Sequence, residues 1–431
     1  MRRCILQAKA CAHRRAKSCK ATLCSDTIQP MGKTVELYYE SAYITEFDAN
    51  VLSCREREDG KFDVVLDKTA FFPEQGGQTS DVGELTSEDG ANFAVSYTGI
   101  GKAPDSDEDE IYHVLDKSIE AGTGVHGRID WEHRFSNMQQ HTGEHIFSGI
   151  VNTKYGYDNV GFHLSDTEVT MDYNGALSAE DIRFIEKNVN EAIWKNVSVI
   201  ARFPSDDELK DISYRSKKEL TGAIRIVDIE GYDSCACCAP HVAKTGEIGL
   251  LKVVGVRNYK GGVRVNILCG KRALEFLLTE HDILSKLATD FTTSFDNVPS
   301  SVAKLRDENA ALKENLYAER EKLLGYELAD IDKNLKNVFL FKDADTDMNL
   351  IRKNVNLLAA KHEGFCGVFA GNSEAGYRYI IASGTAGGDA RTVSGLLKEK
   401  FGAKGGGSNQ MVQGSLSGAS RDELIDCCNN L

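Results

Sequence analysis

His141 and His145 stand four residues apart in a stretch that reads as helix. That spacing puts both imidazoles on one helix face, with Cβ atoms about 5–6 Å apart, close enough to share a metal ion. Further along, Cys235-Ala236-Cys237-Cys238-Ala239-Pro240-His241 follows a predicted strand and offers three thiols and an imidazole. A two-plus-two assembly of His141, His145, one of these cysteines and His241 gives the tetrahedral N/S donor set that Zn²⁺ prefers. One zinc ion per chain is the expectation. The bland alternative is a set of packed small thiols and satisfied core histidines. Residues 141–145 also match H-x-x-E-H, the inverted metallopeptidase pattern, in which Glu144 would be the general base. Such peptidases use a carboxylate third ligand and keep an open position, whereas this chain offers Cys and His, and a thiolate lowers the Lewis acidity that peptide cleavage needs.

A site assembled from distant segments needs a rigid frame. The first histidine pair is predicted on a helix over 136–152, started by a Ser136/Gln139 capping box. A second helix is predicted over 178–196, where Ile182, Ile185, Val189 and Ile193 recur at helical spacing. Ile224–Ile229 reads as the strand that delivers the cysteines. Leu250–Val256 and Val263–Leu268, flanking Asn258–Gly262, read as a hairpin. Residues 31–130 alternate like strands, broken at Phe71–Gln78 by a proline and a glycine pair, with Asp105–Glu110 as a solvated acidic loop. Residues 271–330 are helical and charged. A heptad register there puts Val302, Asn309, Leu316 and Leu323 at a, and Leu305, Leu312 and Glu319 at d, a pattern suited either to a coiled coil or to an intramolecular helical hairpin. Residues 335–431 read as α/β, with strands near Val338–Phe341, Gly367–Ala370 and Tyr377–Ile381, and a helix over 389–400 that ends near a glycine run.

The 431-residue chain is 41% hydrophobic and 27% charged, which excludes wholesale disorder. No run approaches the ~20 apolar residues of a membrane span. The net charge of −14 is uneven: residues 1–30 hold seven Lys/Arg and one acid, Asp26, so the remainder carries −20. An acidic body argues against a broad nucleic-acid footprint, so a polyanionic partner must dock on a local basic patch. Twelve cysteines in a long chain without a secretory signal suggest thiols in a reducing cytoplasm rather than a disulfide framework. Residues 1–30 have the composition of an organelle transit peptide or of sequence upstream of a start at Met31, and are set aside from fold reasoning.

With the motifs in place, the chain resembles the alanyl-tRNA editing proteins (the AlaX family), which are similar to the editing half of alanyl-tRNA synthetase. Phe72–Gly83 resembles the family's F-x-P-x-G-G-G-Q-x-x-D-x-G. His141–His145 resembles H-T-x-x-H, and the end of Ile224–Val242 resembles C-x-G-T-H-V. Gly405–Ser408 with Met411–Gly414 resembles the glycine-rich close of the synthetase's C-terminal domain, the DHHA1 type. There are departures: Gln75 stands at the third glycine of the first motif, Ala239 and Pro240 take the place of Gly-Thr before His241, and Cys235 and Cys238 are extra thiols.

The resemblance implies the fold and the function. The fold is α+β: a barrel-like domain over 31–130, an α/β sandwich zinc-binding editing domain over 131–270, a helical or coiled-coil segment over 271–334, and a DHHA1-like tRNA-binding domain over 335–431. The function implied is a freestanding, zinc-dependent hydrolase that deacylates tRNA(Ala) mischarged with serine, or with glycine, since no long class II catalytic domain precedes Met31. His141, His145, Cys237 and His241 would hold the metal. Gln78 would meet the seryl group or the terminal ribose, alongside His141 and His145 in catalysis. Lys398, Lys400, Lys404 and Gly405, Gly406 and Gly407 would contact tRNA phosphates. A homodimer through residues 271–330, a cytoplasmic location and no membrane contact complete the expectation. Two other classes remain beside it: the zinc peptidase, which Glu144→Gln would abolish, and a non-catalytic tRNA-binding protein with structural zinc, which would bind tRNA yet leave the ester uncut.

Overall fold

The computed structural model describes residues 34–103, 107–216, 222–429 and 431. The basic extension 1–30, and part of the acidic run at 105–110, lie outside the described residues. The chain divides into two compact units, Met1–Ile283 and Leu284–Leu431, and its elements mix helix and strand as α+β.

Unit 1 opens with a closed barrel. Its strands are β1 (Glu46–Glu56), β2 (Phe62–Leu66), β3 (Gly83–Ser87), β4 (Asn92–Lys102), β5 (Asp109–Leu115) and β6 (Gly124–Ile129). They run in the order β1-β2-β5-β4-β3-β6, and β6 pairs back onto β1. Period-two alternation sends Val64, Leu66, Leu85, Val95 and Leu115 inward, where they pack on Phe71. The barrel closes all its edges, which removes the unpaired rows an open sheet would present.

Helix α1 (Trp131–Tyr155) follows directly. The expected start at Ser136 is corrected by the structure: Asp130 is the cap, accepting from His133 N at 3.1 Å. Ser136 and Gln139 are interior, and the Gln139 side chain instead donates to Glu247 O at 2.8 Å. The helix starts earlier because Asp130 is itself a strong N-cap and nothing between it and Ser136 breaks the turn. Gly156, at φ 68, ends the helix.

Strands β7 (Asn159–Leu164) and β8 (Val169–Tyr173) come next, then helix α2 (Ala179–Lys195), whose Ser178–Asp181 capping box is present. Strands β9 (Val199–Arg202), β10 (Ile226–Ile229) and β11 (Asp233–Ala236) form one small antiparallel sheet. Strands β12 (Leu251–Tyr259) and β13 (Gly262–Cys269) form the expected hairpin and join the earlier pair in the order β12-β13-β8-β7. Its turn is tighter than expected. Only Lys260 and Gly261 lie outside the strands, both at positive φ (45 and 81), as a two-residue hairpin turn of the I′ kind requires. Helices α1 and α2 pack on this sheet through Met138, Ile146, Phe147, Ile185 and Val189, which meet Met171, Val265 and Ile267.

Helix α3 (Gly270–Asp290) runs across the division between the units. In unit 2, helix α4 (Val298–Asp330) is continuous, and its heptad residues Val302, Leu305, Leu312, Leu316 and Leu323 are all exposed. A five-stranded sheet follows: β14 (Val338–Lys342), β15 (Phe365–Asn372), β16 (Gly376–Ser383), β17 (Lys404–Gly407) and β18 (Met411–Leu416), ordered β14-β15-β16-β18-β17. Alternation along β15 splits two cores. Val368 and Ala370 meet Ile351 and Val355 of helix α5 (Met348–Ala359), while Phe369 meets Val393 and Leu397 of helix α6 (Ala390–Phe401). Among the described residues, no helix is long and apolar enough to cross a membrane.

Candidate metal centre

Helix α1 carries His141 and His145 on one buried face, with ring centroids 5.4 Å apart. The strand pair β10–β11 delivers the cysteine segment: Arg225 on its entry donates to Cys237 O (2.9 Å) and Ala239 O (2.8 Å), and its own carbonyl accepts from Cys237 N (3.0 Å). These bonds fold 237–241 back over α1. The His241 ring then lies 4.9 Å from that of His141 and 4.7 Å from that of His145. Cys237 Sγ is 3.6 Å from His141 Nε2 and 3.4 Å from His241 Nε2. One donor atom from each of His141, His145, Cys237 and His241 falls within 4.8 Å of every other.

Each imidazole is fixed through its remaining nitrogen. His141 Nδ1 donates to Gln78 Oε1 at 2.8 Å. His145 Nδ1 donates to Asp233 Oδ2 at 2.9 Å. His241 Nδ1 donates at 3.0 Å to Thr142 Oγ1, whose own proton goes to Met138 O. All three Nε2 lone pairs are thereby left for the centre of the cluster, the orientation that partners of metal-bound histidines impose. Three imidazoles and a thiolate with fixed tautomers fit a tetrahedral Zn²⁺.

Gln78 is held by the break in the strand pattern. Gly76 and Gly77 adopt φ of 65 and 85, and a Cβ on Gly77 would sit 2.5 Å from Phe162 O. Gly77 O accepts from Leu164 N (2.7 Å), and Thr79 N donates to Leu164 O (3.1 Å). This seats the turn on β7 and packs Phe162 against the His141 ring at 4.6 Å. The side chain of Gln78 is fully buried, and among the described residues its Nε2 finds no partner. The same segment is bolted to α1 by a buried ion pair. Asp81 accepts from Arg134 Nε (2.8 Å) and from Phe72 N (2.7 Å), while Arg134 Nη2 donates to Ala70 O (2.6 Å).

The three thiols divide. Only Cys237 reaches the imidazoles within hydrogen-bond distance. Burial, and then Cys237, push the Cys238 thiol up to about 12, which keeps it protonated, and it packs with Tyr38, Phe72 and Ala239. Cys235 is buried beside His145 and Asp233, and burial raises its thiol as well. Glu144 is fully buried: its Oε1 accepts from Ser148 Oγ and Asn159 Nδ2, both at 2.6 Å, and its Oε2 lies 3.9 Å from His145 Nε2.

With this geometry in hand, comparison with known proteins is informative. A family model described as the threonyl and alanyl tRNA synthetase second additional domain matches residues 224–266. A second, for tRNA synthetases class II (A), matches residues 5–133. The alanyl-tRNA editing protein AlaX-L of Pyrococcus horikoshii is 28% identical over 423 residues, covering 90% of this chain and 96% of its own length. The alanyl-tRNA editing protein Aarsd1 of Bos taurus is 30% identical over 291 residues, 64% of this chain and 63% of that one. The chain is similar to alanyl-tRNA editing proteins over most of its length. An alanine–tRNA ligase of Ignicoccus hospitalis is 31% identical over 301 residues, 68% of this chain and 32% of the ligase. The chain thus spans about a third to two fifths of the ligases it matches and just under two thirds of the bovine editing protein.

Against the editing-family expectation, the structure gathers Gln78, His141, His145, Cys237 and His241 at one place. Lys398, Lys400, Lys404 and Gly405–Gly407 belong to unit 2. Lys398 and Lys400 are exposed in the last turn of α6, where cations also complement the helix dipole. The glycine run lies on an exposed edge strand. Gly405 and Gly407 are needed there for backbone approach, since a Cβ would meet Gln413 O at 2.3 Å and Met411 O at 2.2 Å. Sequence reasoning missed Asp233, Thr142, Phe162 and Arg134. Asp81, which sits in the first motif, carried a signal that was not used.

Proposed function

We propose that this chain is a zinc-dependent aminoacyl-tRNA hydrolase that deacylates Ser-tRNA(Ala); Gly-tRNA(Ala), which lacks the hydroxyl, is the lesser alternative. The observation that carries this reading is the cluster of three oriented imidazoles and one thiolate beside a buried amide whose donor is unused. The names of the relatives support editing of alanyl-tRNA as the setting.

The reaction adds water to the ester carbonyl, breaks the acyl C–O bond to ribose, and returns a proton to the ribose oxygen. His141, His145, Cys237 and His241 would hold one Zn²⁺, which supplies a positive charge that polarises an ester carbonyl or acidifies water. Four protein donors already satisfy a tetrahedral ion, so orientation of the ester by this chain's own groups carries much of the reading. Gln78 holds His141 with Oε1 and offers Nε2 to the substrate. A buried donor left unpaired by alanine but satisfied by the seryl hydroxyl can reject the shorter side chain by ~10⁴-fold.

Lys398, Lys400 and Lys404 beside the edge strand β17 are our assignment for phosphate contacts, and the exposed heptad face of α4 for a homodimer. A cytoplasmic site belongs to the same reading, as the eight described cysteines are all free thiols. The test is deacylation of Ser-tRNA(Ala), with Ala-tRNA(Ala) alongside, by metal-replete protein and by His141→Ala. Zinc-dependent loss of serine with alanine spared is the expected result. Hydrolysis of neither ester overturns the reading in favour of a tRNA-binding protein.

A further inference from the structure

One charged group near the cluster is used by nothing above. Arg215 lies on a segment that joins the edge of the β9-β10-β11 sheet beside β11. It forms a parallel bridge with Cys235, donates its amide to Ser234 O (2.8 Å), and accepts from Ala236 N (2.9 Å). The segment therefore continues the sheet, and its backbone is fixed on the strand that leads into Cys237. From there the guanidinium forks onto Asp233, with Nε 2.7 Å from Oδ1 and Nη2 2.8 Å from Oδ2. Asp233 is 2% exposed and Arg215 17%. The oxygen that takes Nη2, Oδ2, is the one that holds His145 Nδ1.

We propose that Arg215 is a positioning residue for the metal cluster, acting through Asp233 to lock the tautomer and ring orientation of His145. The argument is one of hydrogen-bond polarity. Guanidinium can only donate, so the two Asp233 oxygens facing it act as acceptors and the carboxylate is ionised. An ionised carboxylate can only accept, so the proton it shares with His145 belongs to Nδ1. The Nε2 lone pair is then available to the metal. The fork also blocks rotation of the carboxylate about its own bond, because a planar bidentate pair has one arrangement. The other two cluster histidines rely on neutral acceptors, the Gln78 amide and the Thr142 hydroxyl. The acceptor that holds His145 is a charge that must itself be compensated where it is buried.

This inference rests on the reading that the cluster holds a divalent metal, and not on the identity of the substrate. The test uses the full chain, stripped with a chelator and reloaded. Zn²⁺ affinity is read by competition with a chromogenic chelator, and coordination by the visible spectrum of the Co²⁺ form, for wild type, Arg215→Gln and Arg215→Lys. Loss of an outer partner of a metal-bound histidine costs about 10–100-fold in metal affinity, and that loss, with an altered Co²⁺ spectrum, is expected for Arg215→Gln. Arg215→Lys keeps the charge without the fork and is expected to recover affinity only in part. A merely structural ion pair would lower the unfolding temperature of the apo-protein and leave the Co²⁺ spectrum unchanged. Affinity within a factor of about two of wild type, well below the outer-partner effect, with that unchanged spectrum overturns the proposal. Should Arg215→Gln fail to fold, Arg215→Lys is judged by the same criterion. Wild type that binds neither ion overturns the metal reading along with this one. Wild type that binds metal but leaves Ser-tRNA(Ala) intact refutes only the proposed activity.

Discussion

Replacing Gly77 by alanine tests how the turn at 76–78 supports the cluster, because the structure sets both parts of its cost. The residue sits at φ 85, which costs an alanine about 1–2 kcal/mol relative to a right-handed conformation. Its Cβ would also lie 2.5 Å from Phe162 O, so reaching an ordinary 3.4 Å contact requires about 0.9 Å of movement. Neither side yields without consequence. Gly77 O is bonded to Leu164 N, Phe162 packs on the His141 ring, and Gln78 one residue on holds His141 Nδ1. A displacement near 1 Å at a reacting geometry can cost about 100-fold in rate, so Gly77→Ala should lose about two orders of magnitude in deacylation together with measurable metal affinity. Gly60→Ala is the control. It has φ 78 and nothing within 4 Å of its Cβ, so it carries the conformational strain without the clash. Unfolding by urea and single-turnover deacylation of Ser-tRNA(Ala) are measured for both. If Gly77→Ala loses stability to the same extent as Gly60→Ala and keeps wild-type metal affinity and rate, the contact with Phe162 does not position the site and the reasoning is wrong.

Three further outcomes are expected. Arg134→Met leaves Asp81 buried without its cation and should cost about 3–5 kcal/mol in urea unfolding, while adding Asp81→Asn should recover part of that loss; an unchanged urea midpoint for the single variant would remove the pair from the frame. His113 is fully buried against Thr69 Oγ1 and Val64 O, and burial lowers its pKa from 6.5 to about 4. Its folded pKa is below its unfolded one, so its contribution is complete above pH 6.5 and is lost as pH falls through 4, amounting to about 3 kcal/mol; His113→Gln should flatten the stability curve in that window and nowhere else. Leu312 and Leu316 are 66% and 51% exposed on α4; changing both to Glu should convert a sedimenting dimer to a monomer with metal content intact, and a wild type that sediments as a monomer rejects the dimer reading.

The parts of this molecule that were legible in the sequence share a physical cause. The histidine pair and the thiol–imidazole segment are visible because few residue types can bind a soft divalent ion and because each group stands close in sequence; only the family resemblance singles out Cys237 among the three thiols, and only the fold brings the two groups together. The barrel strands and the β12–β13 hairpin were legible from period-two alternation and turn residues. The start of α1 was misread because Ser136-x-x-Gln139 has the letters of a capping box, whereas the backbone had already committed to a helix at Asp130. The edge strand at 404–407 was not legible, because a glycine run carries no alternation, and its need for glycine lies in a neighbouring strand too close for a Cβ.

The groups that orient the three imidazoles were invisible for a different reason. A histidine that must keep Nδ1 protonated needs only one acceptor, and Gln78, Thr142 and Asp233 each supply it with different chemistry. No residue type is demanded, so no pattern marks the position. What is demanded is location, and it is met from three separate parts of the fold. Gln78 comes from the glycine turn seated on β7, Thr142 from the same helix as His141 and His145, and Asp233 from the strand that leads into Cys237. A change at any one of them is invisible in composition and spacing, yet it acts directly on which nitrogen lone pair faces the centre of the cluster. The buried Asp233 goes one step further. As the only charged acceptor of the three, it requires Arg215 from a fourth segment, so this arm of the cluster depends on packing of the β11 edge as well as on the ligands themselves.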